Sequence, residues 1–135
     1  MKKVVGLLLV VLMVMAFNAN FAAAATNPPN LVGTWTGIVK TVKPDKYEQY
    51  QVTAKITSQR GFRFKGTHES PGNQPEKIVG VIYDGQIYIT DSSSTMVGKL
   101  FFYPKRRMEG VFQDITSDGI IETGIWSVTK TGPIR

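Results

Sequence analysis

Six segments of this chain carry a glycine at the centre of an alternating apolar pattern. They are Leu31-Val-Gly33-Thr-Trp35, Phe64-Lys-Gly66-Thr-His68, Ile78-Val-Gly80-Val-Ile82, Met96-Val-Gly98-Lys-Leu100, Met108-Glu-Gly110-Val-Phe112 and Glu122-Thr-Gly124-Ile-Trp126. Alternation with a period of two is the signature of a β-strand with one buried face. A glycine inside a strand gives up packing and entropy, so it marks a bend or a close backbone approach. Each of these glycines shares its face with the bulky residues. A sheet that curls tightly enough to close into a small barrel meets that condition, because its side chains must fill a narrow interior.

The first residues read as a targeting segment. Met1-Lys2-Lys3 is followed by an apolar run from Val4 to Phe17 and by Ala22-Ala-Ala-Ala25. That order is a secretory signal peptide, residues 1–25, and the run is short of the about 20 apolar residues of a spanning helix. Secretion or a periplasmic location is therefore expected. With no cysteine in the chain, a lipid-anchored lipoprotein, disulfides and thiolate metal sites are excluded. Removal of Lys2 and Lys3 leaves 14 basic against 10 acidic residues, a net +4. An excess of this size serves solubility and does not suggest a nucleic-acid partner.

After a polar lead-in at 26–30, a single domain is expected over 31–132. Eight strands are predicted at about 31–40, 47–58, 62–69, 76–83, 86–91, 96–103, 107–115 and 120–130. Turn chemistry separates them, most clearly at Asp84-Gly85, a two-residue hairpin signal. No segment after the leader has a helical period. The expectation is an all-β protein, an eight-stranded antiparallel up-and-down β-barrel. In such a meander, alternate connections share an end. Those at 41–46, 70–75, 92–95 and 116–119 are the longer set and would ring an open mouth. Those at 59–61, 84–85 and 104–106 would pinch the other end.

The phase of the glycines assigns Trp35, Tyr50, Val52, Ile56, Phe62, Phe64, Ile78, Ile82, Ile87, Ile89, Leu100, Phe102, Met108, Phe112, Trp126 and Val128 to the interior. Strands 4 and 6 are apolar on the outer face as well, through Val79, Val81, Val97, Phe101 and Tyr103. A strand buried on both faces needs a cover, either the chain termini or a second subunit in a homodimer or tetramer. Arg60, Arg63, Lys105, Arg106 and Arg107 gather at the tight-turn end, with Asp84 as counter-charge, where an anionic membrane or envelope surface is a possible contact.

The segment Leu31-Val-Gly33-Thr-Trp35 resembles the opening strand of calycin barrels, the group that holds lipocalins and avidins. Gly66-Thr-His68-Glu-Ser70 with Gly72-Asn73 resembles the third strand and ligand loop of avidins. Gly124-Ile-Trp126-Ser-Val-Thr-Lys130 resembles their last strand, threonine–lysine pair included. The resemblance implies a barrel with a ligand at its mouth. In avidins a biotin ring is held by a tyrosine and a serine on the third strand, an asparagine on the first and an aspartate on the last. Here Ser70 keeps the serine, while His68, Gly37 and Trp126 stand at the other three places. High-affinity biotin binding is not expected, because a polar ring left unpaired in a dry pocket costs several kcal/mol.

The function expected is non-catalytic binding of a small, mainly apolar ligand. The candidate contacts are His68, Ser70, Phe102, Ile120 and Glu122 around the mouth, over a floor containing Trp35 and Trp126, with both tryptophans approaching the closed end. The alternative is a protein-interaction or inhibitor-like envelope barrel with a filled core. An apolar cavity of about 300 Å³ or more separates the two. Ser92-Ser-Ser94 has no nucleophile-elbow context, and no paired carboxylates argue for acid–base catalysis, so no catalytic residues and no cofactor are implied. His68 is the lone histidine, and one histidine without a cysteine or an acidic cluster is not a metal site, so no metal is expected.

Overall fold

The computed structural model describes residues 27–116 and 118–133; the expected signal peptide lies outside them. The strands are β1 (Gly33–Val42), β2 (Tyr47–Arg60), β3 (Arg63–Glu69), β4 (Glu76–Tyr83), β5 (Gln86–Thr90), β6 (Ser94–Phe101), β7 (Arg107–Ile115) and β8 (Ile121–Gly132). Each pairs antiparallel with the next, and β1 pairs with β8 from Thr34↔Gly132 to Val42↔Thr123, so the sheet closes as a barrel. Closure removes both sheet edges, which otherwise offer unpaired backbone groups to other chains.

The inward phase is the one set by the glycines. Trp35, Ile56, Ile87 and Met108 are fully buried, and Val39, Val52, Phe64, Ile78, Ile82, Ile89, Phe112, Trp126 and Val128 complete the core with Leu31. The glycines allow the curvature. A Cβ at Gly37 would stand 1.8 Å from the Ser127 carbonyl oxygen, and one at Gly110 would stand 2.0 Å from that of Val97. At Gly80 and Gly98 the missing side chain makes room for the rings of Phe64 and Trp126. Asp84 and Gly85 both have positive φ, 49° and 71°, which fits a tight hairpin between β4 and β5.

Three expectations are corrected. First, β6 begins at Ser94 and ends at Phe101. An Asx turn, in which Asp91 Oδ1 accepts the N–H groups of Ser93 and Ser94, reverses the chain early. At its other end the strand stops before Phe102, which is 58% exposed in the β6–β7 connection. That connection lies at the end opposite the mouth. Second, Phe62 is a half-exposed turn residue and Tyr50 stands at the rim rather than in the core.

Third, short turns are not what shuts the lower end. The β6–β7 connection, 102–106, is as long as the β7–β8 connection at the mouth. The lead-in forms the plug instead. Leu31 N donates to Gln59 Oε1 and Gln59 Nε2 donates to the Pro29 carbonyl. Trp35 Nε1 donates to the Leu31 carbonyl, and Arg106 and Lys130 both reach the Asn30 carbonyl. Lys130 also sits over the Trp35 ring, 5.6 Å from its centre, and burial lowers its pKa with help from Arg106. The described lead-in residues are thus committed to the closed end and leave the outer face of β4–β8 uncovered.

Candidate functional site

Above the plug the barrel holds a cavity of about 210 Å³. Its lower walls are apolar, from Val52, Ile78, Ile89, Met96, Met108, Phe112, Trp126 and Val128. Its upper rim is polar, from Tyr50, His68, Ser70, Asn73, Glu76, Asp91, Ser94 and Asp114. The rim residues occupy the ends of strands that carry the 70–75, 91–93 and 116–120 connections, so the mouth lies at the end chosen by turn parity. The volume falls short of the about 300 Å³ set above to separate a small-ligand site from a filled core, so that criterion is not met and any occupant is limited to roughly one ring or its equivalent. An apolar cavity of about 150 Å³ already admits benzene.

One wall of the rim, from β3 to β6, is acidic. His68 and Glu76 are register partners across β3 and β4. Asp91 follows β5, and its side chain is 2% exposed. His68 Nε2 lies 3.0 Å from Asp91 Oδ2 and 3.9 Å from Glu76 Oε2. The first contact is close in distance but not aligned as a hydrogen bond, and Nε2 is buried without a hydrogen-bond partner. The Ser94 hydroxyl donates to Asp91 Oδ2, and the Ser92 hydroxyl donates to Glu76 Oε2. Burial works against ionisation of Asp91. The His68 contact, the Ser94 hydroxyl and the two backbone N–H groups outweigh it and hold the carboxyl well below the usual range.

The rest of the rim carries an ion-pair cluster. Glu122 is buried at the start of β8, with Lys43 Nζ 2.9 Å from Oε1 and the Thr41 hydroxyl 3.4 Å from Oε2. Lys43 also meets Glu48 at 3.0 Å, and the two carboxylates hold the ammonium above its ordinary pKa. Asp114, paired in register between Ser94 and Glu122, has Oδ1 buried with no partner. Burial, then the nearby Glu122 and Asp114 charges, push the Tyr50 hydroxyl up.

Three of the expected contacts line this cavity: His68, Ser70 and Trp126. Four do not. Glu122 is occupied by Lys43, Ile120 is exposed on the rim connection, Trp35 belongs to the plug below, and Phe102 is at the wrong end. Trp126 stands midway along β8 opposite Gly110, not near the closed end, and its Nε1 donates to the Val111 carbonyl. Glu76, Asp91 and Asp114 line the site with no motif to mark them in the sequence. Strand alternation gives their inward phase, but their proximity depends on the register and curvature of the paired strands.

No family model matches the chain, and no curated protein matches it. Among solved structures, it is similar to a Nostoc punctiforme protein of unknown function from the DUF3598 family. The TM-score is 0.50 and the identity 11%, over 81% of this chain and 53% of that one. The likeness is one of fold, and this chain spans about half the length of that neighbour.

Proposed function

We propose that this chain is a secreted or periplasmic calycin-type binding protein, non-catalytic, that holds one small and mainly apolar molecule in the barrel mouth. The observation that carries the reading is the cavity itself, apolar below and polar at its rim, with Asp114 Oδ1 unpartnered beside it. A buried acceptor without a partner is costly, and a ligand hydroxyl or amine would satisfy it. The ligand is a single ring or short branched chain bearing one donor, its apolar part against Phe112, Met108 and Trp126. The up-and-down order and the buried Trp35 of the first strand support the calycin assignment.

The test is a titration followed by amide NMR, in the presence of chelator, with benzyl alcohol, benzylamine and benzoate. The two donors should shift Phe112, Asp114 and Trp126 resonances, and benzoate should not. Replacing Ala54 by Phe should fill the space and abolish the shifts. No response to any donor-bearing ring compound would overturn the reading. It would favour the interaction-barrel alternative, which the uncovered outer face of β4–β8 supports.

A further inference from the structure

We propose that His68, Glu76 and Asp91 form a binding site for a divalent zinc-like cation on the β3–β5 wall of the mouth. The three residues are distant in sequence and come together only through the pairing of three strands. One donor atom from each lies within 4.8 Å of the others. Zinc bound tetrahedrally at about 2.0–2.2 Å places its ligand atoms about 3.3–3.6 Å apart. The separations from Nε2, 3.0 Å to Asp91 and 3.9 Å to Glu76, bracket that range, and the two carboxylates, whose donor atoms lie within 4.8 Å of each other, close by at most about 1 Å through side-chain rotation to complete the set.

An independent observation comes from the imidazole. Nε2 is buried, it is turned toward both carboxylates, and it has no hydrogen-bond partner. An unsatisfied buried nitrogen is a cost that a metal bond would remove. The carboxylates are already oriented. Asp91 is fixed by Ser93 N–H, Ser94 N–H and the Ser94 hydroxyl, and Glu76 by the Ser92 hydroxyl. Hydrogen bonds of this kind position metal ligands and raise affinity.

The donor set selects the ion. One imidazole and two carboxylates suit zinc better than calcium or magnesium, which take oxygen ligands in larger number. Three protein donors leave a place for water or for a donor atom of a ligand in the adjoining cavity. The site shares the cavity rim with Asp114, so the two readings are told apart by their probes, zinc alone here and benzyl alcohol in the presence of chelator above.

The experiment is calorimetric titration of purified protein, free of any histidine tag and stripped with chelator, with zinc, calcium and magnesium chlorides. One equivalent of zinc should bind with a dissociation constant of micromolar order, with no heat from calcium or magnesium. His68→Gln and Glu76→Gln should each weaken zinc binding at least tenfold while leaving the circular dichroism spectrum unchanged. Because Asp91 also holds a turn, those two variants rather than Asp91→Asn carry the test. A zinc-dependent shift of the His68 ring resonances locates the ion. Absence of zinc binding at 100 µM, or binding unaffected by both variants, overturns the proposal.

Discussion

At the scale of single residues, the inward glycines and the Asp91 turn are the most exacting positions. A methyl group at Gly37 would enter the Ser127 carbonyl of the neighbouring strand, and backbone cannot move aside as a flexible side chain does. Overpacking typically costs about 1–3 kcal/mol, and Gly37→Ala should fall in the upper part of that range in a urea melt. Gly61 offers a control for local crowding, since nothing lies near its absent Cβ; its positive φ of 59° still strains any replacement. Asp91 gives a pH dependence. Its folded-state pKa is lowered from an unfolded value of about 3.9, so it takes up a proton more readily when unfolded. Its stabilising contribution is complete above about pH 5 and is lost as the pH falls through the lower folded-state value. In metal-free buffer Asp91→Asn should be less stable than wild type at pH 7, with the gap narrowing toward pH 2.

At the scale of elements, the lead-in is part of the barrel's architecture and not a tether. Leu31 is 1% exposed and its carbonyl receives the Trp35 indole. Truncation of a buried leucine to alanine costs about 2–5 kcal/mol. Leu31→Ala should therefore cost about 3 kcal/mol by urea denaturation. Gln59→Ala removes two of the bonds that clasp the lead-in and should loosen it without opening the strands. Amide exchange should then accelerate at Leu31 and Val32 and stay unchanged at Phe112. Equal acceleration throughout would show that plug and barrel unfold as one unit.

For the whole molecule, the outer surface carries its own order. Val81, Tyr88, Val97, Val111 and Ile125 are successive register partners, one from each of β4 to β8. They form an apolar belt around more than half of the barrel, bounded by Arg63 next to Val81 and Lys40 next to Ile125. Val111 and Ile125 are more than half exposed. Such patches on soluble proteins are usually covered, and a symmetric pair of chains would use the same belt on each. A homodimer is the expected assembly. Val81→Lys with Val111→Lys should give a folded monomer by sedimentation, and a wild-type monomer at tens of micromolar would refute the interface. Phe101 is a poorer choice for that test, because Arg107 stacks on its ring at 4.3 Å while meeting Glu109.

Strand number, phase and mouth end are legible in the sequence, because they depend on alternation, on turn residues and on parity, all of which are local or follow from counting. The glycine phase alone assigns Trp35, Phe64, Ile78, Met108 and Phe112 to the interior, where all five are buried. The misplacement of Phe102 is one of parity: the connection that follows β6 lies at the closed end, so a residue at the end of that strand is far from the mouth whatever its phase. What only the tertiary structure decided was proximity around the ring. The pairing and stagger of β3, β4 and β5 bring His68, Glu76 and Asp91 together, and closure of β1 on β8 encloses the cavity that Asp114 shares with them. Likewise the plug at the base joins Leu31 to Gln59, and nothing in either segment announces the other. Sequence spacing carries the period of a strand, but the radius and stagger of the closed barrel determine which inward residues meet across it.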